Sequence, residues 1–140
     1  MKTKKKLLGI VGTAALALGL STVIAQPANA AASHCPLLYA CIWQDTMYAT
    51  NGNGLGLMKF EFEVRNYAGY NFAGTSVNSN DKASSLFNNG KSSRVIWYEH
   101  DEFRGDSILV PKGGQDGNIH DSVGVVTKVF HDRISSGRFI

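Results

Sequence analysis

Two hexapeptides concentrate the side chains of this sequence that can hold a cation. Asn80 to Ser85 reads NDKASS, and His131 to Ser136 reads HDRISS. Each has an acid in second place, a cation in third, an apolar residue in fourth and then two serines. Carboxylates, hydroxyls and, in the first copy, a carboxamide are oxygen donors. A hard cation such as Ca2+ takes about six to eight oxygens from carboxylates, amide and backbone carbonyls, hydroxyls and water. The same residue types also build Asx-turns and ST-turns with no ion at all. Composition therefore leaves a chemical and a mechanical reading side by side. In the second copy His131 stands where the first has Asn80, and its imidazole offers nitrogen to a metal that prefers oxygen.

Other site chemistry has weaker support. His34, His100, His120 and His131 are scattered, with no H-E-x-x-H or other paired spacing, and read as surface or turn histidines. Serine, histidine and aspartate are all present, but no G-x-S-x-G context singles out a nucleophile, so the chain does not read as an enzyme. The only cysteines, Cys35 and Cys41, have no second Cys/His pair at zinc-finger spacing. In an exported chain they most simply form a disulfide that ties down the N-terminal arm.

Export is the expectation from residues 1–30. Four lysines in MKTKKK precede an apolar run from Leu7 to Ala25, and PANA closes with small residues at Ala28 and Ala30. That order matches a secretory signal cleaved after Ala30. The whole chain has 14 Lys+Arg against 11 Asp+Glu, a net +3, and removing the four signal lysines leaves 10 against 11, or −1. The remainder carries no Lys/Arg cluster that would track phosphates, so nucleic acid is not an expected partner, and neither is a membrane after cleavage. Residues 31–140 suit one small monomeric domain.

The elements that must position the hexapeptides read as strands. YACIW, LMKFEFEV, SRVIWYE, DSILV and VVTKVF are short β-rich runs separated by Gly, Asn, Asp and Ser. MKFEFEV alternates, which puts Met58, Phe60, Phe62 and Val64 on one buried face. The hexapeptides are not the only repeat. Trp43 and Tyr48 have the same aromatic-x4-aromatic spacing as Tyr98 and Phe103, and Gly105 and Ser107 follow the second pair. The aromatic pairs are offset by 55 residues and the hexapeptides by 51, so the first half is longer by about four, with ATNGNGLGL the place for them. Two similar halves, near 35–90 and 91–140, imply two Greek-key units in one all-β sandwich.

These residues resemble the βγ-crystallin superfamily. Tyr98, Phe103, Gly105 and Ser107 match its Greek-key signature, aromatic-x4-aromatic-x-Gly-x-Ser, and NDKASS matches its calcium motif, [N/D]-[N/D]-x-x-[S/T]-S. The first half departs from the signature at Thr50, where glycine is expected, and the second calcium motif departs at His131. With the export signal, CPLLYACIW and NDKASSLFN are most similar to small secreted bacterial proteins of peptidase inhibitor family 36, the family of the Streptomyces metalloproteinase inhibitor.

The resemblance implies calcium held by Asn80, Asp81, Ser84, His131, Asp132 and Ser135. Lys82, Arg133, Gln44 and Glu99 would contribute backbone carbonyls, with affinity on the order of 10 µM to 1 mM. It also implies a secreted protease as partner. Two Gly-rich loops, ATNGNGLGL and PKGGQDGNIHDSVG, are the candidates to reach it, and no residue marks itself as the reactive site.

Overall fold

The computed structural model describes residues 34–50, 54–91 and 93–140. The expected signal at 1–30 and part of the ATNGNGLGL loop lie outside them.

Among the described residues eight strands form: β1 (Ala40–Trp43), β2 (Leu57–Phe60), β3 (Glu63–Val64), β4 (Ser85–Asn88), β5 (Val95–His100), β6 (Arg104–Val110), β7 (Gln115–Asp116) and β8 (Ser136–Phe139). They pair antiparallel in two four-stranded sheets, ordered β2-β1-β4-β7 and β3-β8-β5-β6. Each sheet takes three strands from one half of the chain and one from the other half, the third strand of that half. β3 crosses to pair with β8, and β7 crosses to pair with β4. This exchange interlocks the halves.

The duplication extends to register. Trp43 pairs with Ser85 across β1 and β4, and Tyr98 pairs with Ser136 across β5 and β8. Both offsets read from the sequence, 55 and 51, appear in that one correspondence. The β5–β6 hairpin turns through a short 3-10 segment at Asp101–Phe103, whereas β1 and β2 are joined by residues 44–56. The first hairpin is the enlarged one, as its extra residues require.

The crossing of β3 overturns one expectation. MKFEFEV is not a single strand: it breaks after Phe60, and β3 resumes at Glu63 in the other sheet. Phe60 and Val64 are buried, but Phe62 at the crossing is 74% exposed. Alternation holds only while one strand stays in one sheet. VVTKVF also forms no strand; Val126 and Phe130 enter the core from an irregular segment. The sequence reading had no place for β4, β7 and β8, which hold few β-branched residues or are only two residues long.

The core between the sheets includes Ile42, Phe60, Tyr67, Leu86, Trp97 and Phe130. Phe60 stands edge-on to Trp97 at 6.3 Å, and the Trp97 indole N–H donates to the Tyr67 hydroxyl at 3.1 Å. Burying each large apolar side chain contributes about 1.5–3 kcal/mol. A smaller cluster of Cys35, Cys41, Trp43, Tyr48 and Leu57 packs on the outer face of β1. There Cys35 and Cys41 form the expected disulfide, with Cα atoms 5.9 Å apart.

Candidate functional site

The two serines of each hexapeptide have different jobs. The last one is structural. Ser85 Oγ donates to the Asp45 carbonyl at 2.8 Å and accepts from the Tyr48 amide at 3.2 Å. Ser136 Oγ donates to the His100 carbonyl at 2.6 Å and accepts from the Phe103 amide at 3.1 Å. The hairpins they clasp are strained, because Met47, Tyr48, Glu102 and Phe103 all have φ between +53° and +59°. Side chains rarely adopt that region, and each such residue costs about 1–3 kcal/mol. A buried serine bridging both sides of the turn offsets part of that cost. Here the mechanical reading of the repeat applies.

The rest of the first hairpin repeat is aromatic. Trp43 and Tyr48 meet edge-on at 5.2 Å, and Tyr98 and Phe103 meet at 5.7 Å. Gly105, at φ +77°, lies under His100, whose Cδ2 would stand 2.7 Å from an added Cβ. The ring that excludes a side chain there is the imidazole, not an aromatic of the pair. Ser107 contributes its backbone amide, donated to Asp106 Oδ1 at 2.8 Å.

The first serine of each hexapeptide faces the other hexapeptide. Asp81 N donates to the Ile134 carbonyl at 3.0 Å and Asp132 N to the Ala83 carbonyl at 3.1 Å, so the two loops lie side by side. Asp81 and Asp132 occupy equivalent left-handed positions, φ +53° and +52°. Two junctions result, each using residues from both loops.

At the first junction, Ser135 Oγ donates to Asp81 Oδ1 at 2.8 Å. Asn80 Nδ2 donates to Asp81 Oδ2 at 2.7 Å, which leaves the amide oxygen of Asn80 uncommitted by that bond. Asn80 and Ser135 open onto a cleft of about 310 Å³ that is also lined by Asn66, His100, Asp101 and Arg104. These neighbouring side chains carry carboxylate, amide and hydroxyl oxygens, a donor set of the type that suits a hard cation.

The second junction is wired differently. Ser84 Oγ donates to the Gln44 carbonyl at 2.5 Å, and His131 Nε2 lies 3.0 Å from Ser84 Oγ. A hydroxyl has one proton, so with it committed to Gln44 the imidazole must be the donor to Ser84. His131 then carries a proton on Nε2, with Nδ1 3.4 Å from Asp132 Oδ2. Burial lowers the His131 pKa below its ordinary value, and Lys82 and His120 add to that, against the opposing pull of Asp132. An N–H aimed at the serine oxygen cannot ligate a cation, so this donor set does not fit calcium.

His131 also departs from the scattered-histidine expectation. Its ring stacks on His120 at 3.2 Å between centroids, a contact that sequence spacing could not signal. Among the described residues no group of three or more His, Cys, Asp or Glu is placed to hold a metal on its own. The structure brings together Asn80, Asp81 and Ser135, and separately Gln44, Ser84 and His131. Glu99 and Arg133, expected only as carbonyl donors, join through their side chains at 2.7 and 3.0 Å. That guanidinium holds the Glu99 carboxyl below its usual range. The pairing was missed because the two residues lie in different strands and loops of the same half.

The strand exchange and paired loops can now be set beside known proteins. The model of peptidase inhibitor family I36 matches residues 28–110. The chain belongs to peptidase inhibitor family I36. This family I36 chain has the βγ-crystallin fold. A βγ-crystallin domain solved for the evolution of the eye-lens fold superposes with a TM-score of 0.57 at 18% identity, covering 76% of this chain and 89% of that one. A βγ-crystallin from Ciona intestinalis gives 0.54 at 17% identity, covering 73% of this chain and 99% of the other. A βγ-crystallin from an archaeon gives 0.51 at 17% identity, covering 75% and 100%. At such identities the likeness is one of fold. No curated protein matches the sequence.

Proposed function

We propose that this family I36 chain is an exported, non-catalytic inhibitor of a secreted metalloproteinase, steadied by calcium at the Asp81 junction. The observation that carries the reading is the inhibitor-family match over residues 28–110. The disulfide supports an oxidising destination, because such bonds persist outside the reducing cytosol. Residues 1–30 are the removed signal, and residues 31–140 are the mature monomer, made of two interlocked Greek keys.

Interlocking sheets favour inhibition physically. A loop held by a rigid frame loses little conformational freedom on binding, so more of its contact energy appears as affinity. Asn80, Asp81 and Ser135, with the Lys82 and Glu99 carbonyls, hold calcium at the first junction. Bound calcium supplies positive charge between the two halves. The equivalent set around Ser84, Asp132, Arg133 and Gln44 binds calcium only if His131 swings away.

The test is a panel of secreted metallo- and serine endopeptidases assayed against purified residues 31–140, with and without calcium. Saturable inhibition confined to metalloenzymes supports the proposal. Inhibition of serine enzymes alone would overturn the class. No inhibition by folded, uncleaved protein would leave a calcium-stabilised extracellular module, the reading the Asp81 junction favours when taken by itself.

A further inference from the structure

The seven residues from Cys35 to Cys41, CPLLYAC, form a turn with its feet buried and its tip in solvent. Cys35 and Cys41 lie in the small outer cluster, while Leu37 is 68% exposed and Leu38 38% exposed. Besides the disulfide, Asn89 clamps the turn. Its side-chain amide donates to the Cys35 carbonyl at 2.8 Å, its carbonyl accepts from Leu38 N at 2.9 Å, and its own N–H donates to the Tyr39 carbonyl at 3.0 Å. Tyr39 N closes the turn onto the Pro36 carbonyl at 3.2 Å. Leu38 sits at φ +80°, which is rare for a leucine and persists only where the surroundings enforce it.

Beside this turn lies Phe62, the aromatic that alternation would bury and that the β3 crossing exposes. Leu38 and Phe62 face one another across a groove of about 210 Å³, with Phe139, Lys91, Glu61 and Ser93 completing its walls. Leu38 and Phe62 thus line one groove beside a covalently closed turn whose tip also exposes Leu37.

We propose that this edge enters the substrate cleft of the inhibited endopeptidase, with Leu37 occupying an apolar side-chain pocket of the thermolysin-like kind. The inference rests on the inhibitor reading above and names the surface that executes it. The inhibitor-family match at 28–110 includes the turn and Phe62, but not the Gly-rich loop at 111–124. That second loop exposes Val123, yet Asx-type hydrogen bonds at Asn118 and Asp121 shape it with no covalent tie.

The geometry also accounts for resistance to cleavage. A protease works on an extended segment, which rises about 3.3 Å per residue. The feet of this turn are held 5.9 Å apart, and Leu38 is left-handed. The leucine side chain is offered while the extended backbone is withheld.

The test compares full-length mature protein, Leu37→Asp, Val123→Asp and the Cys35→Ser/Cys41→Ser double variant against a thermolysin-like metalloproteinase, with thermal melts as folding controls. Leu37→Asp should weaken inhibition by about 30-fold or more, as for a residue at the centre of an interface, with an unchanged melt. Val123→Asp should inhibit like the parent. The double variant should lose inhibition and be cut between residues 36 and 40, read by mass spectrometry. Undiminished inhibition by Leu37→Asp would overturn this surface and leave the inhibitor reading intact. Failure of the parent protein to inhibit any metalloproteinase would remove both.

Discussion

At the residue scale, the two hexapeptides share their aspartate and both serines but differ in wiring. Ser135 donates to a carboxylate, and Ser84 receives from an imidazole. The proposed calcium reading therefore predicts one ion per chain, at the Asp81 junction. Asp81→Asn keeps a residue tolerant of positive φ, so it should leave the apo melt close to that of the parent while abolishing the calcium-induced shift. His131→Asn should raise the stoichiometry in isothermal titration from one to two. An unchanged isotherm in both variants would exclude this pair of junctions. Tyr48 gives a second residue-level expectation. Burial, with the Asp116 carboxylate adding to it, pushes its phenol up from 10.0 to about 12. A raised folded-state pKa favours the neutral form, so its contribution is complete below about pH 10 and is lost as pH rises towards 12. Between those limits the urea midpoint of the parent should fall more steeply than that of Tyr48→Phe; parallel curves would contradict the assignment. The donor types were legible in the sequence, since oxygen-rich residues at fixed spacing are a local property. The division of labour between the serines was not, because the groups they bond lie 33–54 residues away.

At the element scale, hairpins and crossings decide what each pattern means. Gly105 is needed twice over, for φ +77° and for His100 pressing on it, whereas Gly113 has φ +72° with open space where a Cβ would stand. Alanine at Gly113 should cost about 1–2 kcal/mol from backbone strain alone. Alanine at Gly105 should cost more, by the shift forced on the imidazole, as read from denaturant midpoints. Equal losses would show that the His100 contact contributes nothing. The aromatic pairs and the apolar β1 and β5 runs were legible because a strand's own residues carry that signal. The break after Phe60 was not. Its cause is the pairing of Glu63 with Arg138 and Val64 with Gly137, long-range partners that no local alternation encodes. For the same reason two-residue β7 escaped notice, being defined by its partner β4. The exposed Phe62 is a by-product of that crossing and supplies part of the edge assigned to the protease.

At the scale of the whole molecule, a duplicated chain has become two interlocked sheets. The offset repeats in the sequence anticipated that duplication, and family I36 with the βγ-crystallin fold agrees with it. Calcium that binds only the native state stabilises it by RT ln(1 + [Ca2+]/Kd), so the melt should keep rising with the logarithm of calcium concentration after the binding curve has levelled. Such stiffening serves the proposed role, since the inhibitor edge projects from the same frame. The decisive measurement is a titration of a thermolysin-like metalloproteinase with residues 31–140 in the presence of calcium. The account predicts saturable inhibition reaching completion at one inhibitor per enzyme, with the inhibitor recovered uncut. Full protease activity at excess folded protein, or steady digestion of that protein as an ordinary substrate, would contradict it.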